Sequence, residues 1–211
     1  MSVYASGYTL VVAAASYLLG CSNGSILVSK YILHNDIRSH GSGNAGLTNF
    51  YRTFGGGLTF LVILSDVLKA VLSVLIGAAV FSGLGEPVAG KYLAALFVML
   101  GHMFPFMFHF RGGKGILSGG TVTVMLDWRI ALLALGIFLI LSVATRWVSL
   151  GSVTAALVFP FATWFVYYNG TYTIIAAAIT VLVAWKHRGN IKRIIENREP
   201  KFTLRKKETG T

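Results

Sequence analysis

Six apolar runs, at residues 7–29, 57–82, 89–109, 129–146, 150–168 and 171–187, divide this chain of 211 residues, and each is near the length that a membrane-crossing helix requires. About 20 apolar residues carry an α-helix across the ~30 Å hydrocarbon core of a bilayer. A seventh run, Ile116–Leu126, is shorter, and reads either as a short crossing helix where the bilayer thins or as a re-entrant segment. Charged residues make up 12 % of the chain, about half the roughly 25 % of soluble proteins. So little charge cannot cover a water-soluble surface, and lipid must solvate much of it. The pattern predicts an all-α integral membrane protein with one membrane domain over residues 1–211 and a basic cytoplasmic tail at 198–211. No internal repeat and no domain-separating linker occurs. The first run has no basic segment before it and no A-x-A site after it, so it reads as a retained helix and not as a signal peptide.

The net charge of +11 is not the footprint of a nucleic-acid binder. Such proteins gather basic residues on one face of a soluble domain; here they lie between and after the apolar runs, where they suit anionic lipid headgroups and anionic substrates. Lys/Arg excess marks cytoplasmic loops. With the N-terminus outside and seven crossings, segments 30–56 and 110–115, the turn at Arg146 and the tail from Lys186 lie inside, holding 15 of the 18 Lys/Arg. A re-entrant Ile116–Leu126 would put the nine charges from Lys186 onward outside, so the charge bias favours seven transmembrane helices, one of them short, with a cytoplasmic C-terminus. The single cysteine, Cys21, cannot form an internal disulfide, and no Cys/His cluster calls for a metal or other cofactor.

Three inner segments could carry chemistry. The first runs from Asp36 to Arg52 and includes Gly41, Gly43 and Gly46. Glycines permit positive φ and close backbone approach, and successive amides can form an anion-binding nest. Ser42, Thr48 and Asn49 add donors, and Arg52 offers a fork suited to phosphate; the plain alternative is an ordinary Gly/Ser turn. The second runs through Gly101-His102 and Phe104-Pro105 to Gly112-Gly113-Lys114-Gly115, which opens the short helix. Free amides at a helix start beside a lysine make a phosphate site, although the Walker A spacing is absent. His102, inside an apolar run, reads as a hydrogen-bonded packing residue. The third is Lys186-His187-Arg188-Gly189-Asn190, where His187 and Asn190 share a side if the helix continues. Ser149 and Ser152, in the turn after Arg146, read as helix caps. Asp66 and Lys69, three apart inside the second run, read as an internal ion pair fixing helix packing or as a link to an active site.

No Ser-His-Asp motif, H-x-x-x-x-D dyad or paired carboxylate occurs. The apparatus is donors and cations, which suits anionic substrates and a reaction that needs charge stabilisation more than a strong base.

Taken together, these segments resemble the acyl-phosphate-dependent glycerol-3-phosphate acyltransferases of bacterial membranes. The resemblance rests on Gly41-Ser42-Gly43-Asn44 through Thr48-Asn49 to Arg52, on Gly101-His102-x-Phe104-Pro105 through Lys114-Gly115, on His187-Arg188-x-Asn190-Ile191 through Arg193 to Glu199, and on Asp66 with Lys69. It implies a seven-helix enzyme of the bacterial cytoplasmic membrane, its site on the cytoplasmic side, acting as a monomer without a cofactor. The reaction implied is acyl transfer from acyl phosphate to glycerol 3-phosphate, the first acylation of phospholipid synthesis. The catalytic set implied is Ser42, Arg52, Lys114, His187 and Asn190; Gly43, Asn44, Thr48, Asn49, Gly112, Gly113, Ser152 and Arg188 would bind substrate. On this reading Ser42–Asn49 would hold the acyl phosphate, while Arg52, Lys114 and His187 grip the glycerol phosphate; the hydroxyl proton would go to the substrate's own phosphate or, as the competing assignment, to His187 as general base. The family pattern is departed from at three places: Cys21-Ser22-Asn23 stand for Ser-Ile-Pro, Leu47 for an alanine and Asn197 for a glycine. The rival classes are a transporter or channel for phosphate-type anions, which needs a polar path through the membrane, and a non-catalytic lipid-binding protein.

Overall fold

In the computed structural model the chain is a helical bundle with no strand among the described residues, which are Tyr4 and residues 6–202. The last part of the predicted basic tail, 203–211, lies outside them. The helices are α1 (Gly7–Cys21), α2 (Gly24–Leu27), α3 (Leu47–Phe54), α4 (Thr59–Ser82), α5 (Pro87–Met103), α6 (Ile116–Leu126), α7 (Trp128–Thr145), α8 (Val148–Tyr167), α9 (Gly170–Lys186) and α10 (Arg188–Ile195). By length and apolarity α4, α7, α8 and the segment Pro87–Phe108 can each cross a membrane, and α1 with α2 makes a fifth candidate bent by 40°; α6 and α9 are shorter.

The first predicted run is broken at Ser22-Asn23. Asn23 caps α2, its side-chain oxygen accepting from the Ile26 amide at 3.1 Å. The helix then widens into a π turn over Val28–Ile32. An Asn at the break supplies the acceptor that a new helix start lacks.

Segment 30–56, read from the sequence as a loop, contains α3. Its spacing Leu47, Phe50, Phe54 gives one apolar side, which packs with Ile26, Ile37, Val62 and Phe108 in a small separate core. The density of Gly, Ser, Thr and Asn around these residues hides the periodicity.

The main core is organised around α5, which packs on α1, α4, α6 and α9. Backbones touch at glycine pairs. A Cβ on Gly101 would stand 2.8 Å from the Gly20 Cα, and one on Gly77 would stand 2.2 Å from the Gly90 carbonyl oxygen. Between membrane helices the hydrophobic drive is weak, and small residues gain contact by letting backbones approach. The segment leading into α6 and the C-terminal end of α6 meet opposite ends of α5: the Gly112 amide donates to the Met103 carbonyl at 3.2 Å, and the Lys91 ammonium to the Met125 carbonyl at 3.1 Å.

Candidate active site

A cavity of about 1180 Å³ opens among α3, α4, α6, α7, α8 and α9. One end is polar, lined by Ser42, Asn44, Thr48, Arg52, Lys114, Ser152, His187 and Asn190; the rest runs as an apolar arm between Val67 and Val71 of α4, Leu135 and Phe138 of α7 and Ala155, Ala156 and Phe159 of α8. Three helices start at the polar end. Leu47 and Thr48 of α3, Ile116 and Leu117 of α6 and Val148 and Ser149 of α8 all line the cavity. No side chain caps any of these starts. Their free amides and dipole ends point positive potential at one place, which favours an anion there.

The first segment is folded by Asn49. Its side-chain oxygen accepts from the Ser42 amide at 3.0 Å, and its side-chain nitrogen donates to the carbonyls of His40 and Asn44, each at 3.0 Å. Asn49 is buried in the cavity wall, and its amide is engaged in shaping the loop. The positive φ expected of the glycines occurs at Gly41 and Gly43. Gly46 is instead the extended N-cap of α3. Gly43 forms a turn, its amide donating to the His40 carbonyl at 2.9 Å, and it does not line the cavity. Ser42, Asn44 and Thr48 do line it. Arg52 stands exposed at the rim, its guanidinium 5.8 Å from the Phe202 ring centre and donating to the Lys201 carbonyl at 3.5 Å.

The second segment divides in two. Gly112 and Gly113 do not reach the cavity as the predicted phosphate cradle: their amides donate to the carbonyls of Met103 and His102, both at 3.2 Å. They are glycines because the chain passes too close for a side chain. A Cβ on Gly113 would lie 2.3 Å from the Ala45 carbonyl oxygen. The helix start that faces the cavity is later, at Gly115 with φ +75° and Ile116. Lys114 does reach the polar end, where it donates to the Asn190 side-chain oxygen. Burial pushes its ammonium down to about 8, against the pull of the Glu199 carboxylate and with the help of Arg193 and Lys186.

Beneath both segments lies a buried network. The Lys69 ammonium is 2.7 Å from Asp66, donates to the Ser22 carbonyl at 2.9 Å and sits 2.8 Å from His102 Nδ1. The Gly20 carbonyl is a longer, fourth acceptor at 3.4 Å, and because an ammonium only donates, His102 Nδ1 accepts from it. Asp66 also accepts from the Gly24 amide at 3.2 Å. Asn23 completes the link, donating to the Ala45 carbonyl at 3.1 Å. The ion pair therefore fixes packing and also joins the break in the first span to the loop that lines the cavity. His102 is a packing residue of this network.

In the third segment His187 joins α9 to α10, and Asn190 lies on the same side. The His187 Nδ1 faces the Val183 carbonyl at 2.8 Å. A carbonyl only accepts, so Nδ1 carries the hydrogen and Nε2 presents a lone pair to the cavity. Burial, reinforced by the charge of Lys114, pushes the imidazole down to about 4. A ring with Nε2 unprotonated accepts hydrogen bonds, which suits a substrate hydroxyl better than a phosphate. Arg188 also departs from expectation. Its guanidinium stacks on Trp185 at 4.2 Å and donates to the Trp185 carbonyl, away from the cavity.

Sequence reasoning missed two members. Glu199 accepts from Ser149 Oγ, from the Asn190 side-chain nitrogen and from Arg193 Nε at 2.8 Å. Burial alone would raise its carboxyl, but these donors hold it below the usual carboxylate range. The signal was its place at the end of the third motif. Ser149 was read as a cap with Ser152, but neither caps α8: Ser152 donates to the Val148 carbonyl at 2.7 Å from within the helix, still facing the cavity.

A family model described as glycerol-3-phosphate acyltransferase matches residues 10–197. A protein of Clostridioides difficile (strain 630) named glycerol-3-phosphate acyltransferase is 39 % identical over 199 residues, covering 93 % of this chain and 97 % of its own length. One of the same name from Halalkalibacterium halodurans is 40 % identical over 210 residues, covering 96 % of this chain and 98 % of its own. Among solved structures, PlsY (YgiH), an integral membrane glycerol 3-phosphate acyltransferase in its glycerol 3-phosphate form, is similar with a TM-score of 0.83 and 30 % identity, over 93 % of this chain and 96 % of that one. Its lysophosphatidic acid form gives 0.79 and 28 %, over 94 % and 97 %.

Proposed function

The chain belongs to the glycerol-3-phosphate acyltransferase family, and we propose that it takes its acyl group from an acyl phosphate and passes it to the 1-hydroxyl of glycerol 3-phosphate. It is an acyltransferase and an integral membrane protein of several helices. Lysophosphatidate and inorganic phosphate would leave, making this the first acylation of phospholipid synthesis. The observation that carries the reading is the convergence of three uncapped helix starts on one end of a cavity whose remainder is mostly apolar. Such a cavity suits a substrate with an anionic head and a hydrocarbon tail, meeting a second, smaller anion. The solved relative in glycerol 3-phosphate and lysophosphatidic acid forms supports both ends of the reaction. The lack of an H-x-x-x-x-D dyad supports an activated mixed anhydride as donor, because its good leaving group needs little help from a base.

In this mechanism Ser42, Asn44, Thr48 and the amides opening α3 hold the acyl-phosphate head. Lys114, kept in place by Asn190, and Arg52 at the rim attract the glycerol phosphate. Ser152 stands in the wall between them. His187 Nε2 accepts from the glycerol hydroxyl and aims its oxygen at the acyl carbonyl. A new C–O bond forms, the bond from the carbonyl carbon to the phosphate oxygen breaks, and the hydroxyl proton passes by way of His187 Nε2 to the departing phosphate. Proximity and orientation supply much of the rate. Gly43, Asn49, Gly112 and Gly113 serve by shaping the loops.

The same reading sets the protein as a monomer in the bacterial cytoplasmic membrane, crossing seven times, with the N-terminus outside and the polar end of the cavity cytoplasmic. The charge bias supports this, as does the span of residues 112–125, which reaches from one end of α5 to the other. The donor is tested by giving purified protein glycerol 3-phosphate with either an acyl phosphate or the matching acyl-CoA. Lysophosphatidate from the acyl phosphate is expected; product from acyl-CoA alone overturns the donor assignment.

A further inference from the structure

Most buried glycines of the bundle are explained by contact. A Cβ on Gly20, Gly77, Gly90, Gly101, Gly112 or Gly113 would meet backbone at 2.0 to 2.4 Å. Gly119 and Gly120 are different. They stand adjacent in the middle of α6, where each costs about 1 kcal/mol of helix stability relative to Ala. Neither takes a positive φ. A Cβ on Gly119 would meet only the tip of Met99, at 3.3 Å, and one on Gly120 only the tip of Leu135, at 3.4 Å. Close helix approach therefore does not account for the pair.

Both line the cavity. They lie about 5–6 Å along α6 from Ile116, at a rise of 1.5 Å per residue, where the polar end gives way to the apolar arm. The lining continues past them through Thr121 and Thr123 as far as Met125, and the residues nearest the pair are Met99 of α5 and Leu135 of α7, which also line the cavity. Side chains at 119 and 120 would narrow the arm near its mouth.

We propose that Gly119 and Gly120 are specificity-determining residues that hold the arm open for a long acyl chain. This rests on the acyl-donor reading above and deepens it. Removing these glycines leaves the head of the donor in its site and obstructs the tail, so short-chain donors suffer less than long-chain ones.

The test compares wild type, Gly120→Leu and Gly136→Leu, each purified and assayed with palmitoyl phosphate and with butyryl phosphate at fixed glycerol 3-phosphate. Gly136 lies on α7 with open space around it and does not line the cavity, which makes it the control. The ratio of kcat/KM, palmitoyl over butyryl, falls by about tenfold or more in Gly120→Leu, since a single methylene of misfit is worth roughly that much in an apolar pocket. It stays at the wild-type value in Gly136→Leu. An unchanged ratio in Gly120→Leu, whatever the absolute rates, overturns the proposal. Should Gly120→Leu fail to fold, Gly119→Ala and Gly120→Ala replace it: the ratio falls in at least one of them, and no fall in either overturns the proposal. If the wild type uses neither acyl phosphate, the donor assignment fails instead, and the same ratio is read with palmitoyl-CoA and butyryl-CoA.

Discussion

The Lys114 ammonium donates to the side-chain oxygen of Asn190, joining two segments that are 76 residues apart in sequence. Asn190 turns its nitrogen to Glu199, so one amide orients a cation on one side and is itself oriented by an anion on the other. Asn190→Ala breaks both bonds. Hydrogen bonds to charged groups are worth about 1.5–3 kcal/mol, so kcat/KM for glycerol 3-phosphate should fall roughly tenfold to a hundredfold. Steady-state kinetics of the variant check this.

Lys114 supplies a pH dependence with a defined sign. Its ammonium, pushed down to about 8, binds anionic substrate only while protonated. The kcat/KM for glycerol 3-phosphate should therefore decline as pH rises through about 8. Lys114→Arg should remove that decline from the accessible range, because a guanidinium stays charged. Glu199 favours the charged ammonium, so Glu199→Gln should move the decline to lower pH. A purely structural role for Glu199 would lower rates without moving the profile.

Glu199 also carries a stability term. Its folded-state carboxyl is held below the usual range, so the stabilisation is present above that range and is lost as pH falls through the folded value. In detergent, the drop in wild-type Tm on acidification should be smaller in Glu199→Gln.

His187 is tested by His187→Gln. The imidazole is neutral at pH 7 and offers Nε2 as an acceptor. If it aims the glycerol hydroxyl, kcat falls steeply while KM for glycerol 3-phosphate changes little. A raised KM with kcat preserved would restore the phosphate-gripping role.

The Asp66–Lys69 pair is sealed in the bundle. Removing one partner of a buried pair costs about 3–5 kcal/mol, whereas removing both is far milder. Asp66→Asn and Lys69→Met should each lower the thermal midpoint more than the double variant does.

Much of this was legible in the sequence because composition and spacing carry it. The apolar runs located α4, α5, α7, α8 and α9 to within a few residues, and the motifs named Lys114, His187 and Asn190, all of which line the cavity. Other features needed coordinates. Gly112 and Gly113 looked like a phosphate cradle because Gly-Gly-Lys-Gly reads the same whether the glycines face a ligand or a neighbouring backbone. Arg188 looked like an anion ligand, but its stacking on Trp185 depends on the bend at His187. The helix α3 was hidden because its apolar residues are few and its surroundings resemble a turn. The apolar arm is formed by residues on several helices, and no single segment announces it.

The account is tested most directly by measuring inorganic phosphate and lysophosphatidate together when purified protein in lipid receives palmitoyl phosphate. It predicts little release until glycerol 3-phosphate is added, then one phosphate for each lysophosphatidate formed. Phosphate released at the same rate without glycerol 3-phosphate, or no release with it, would contradict the account.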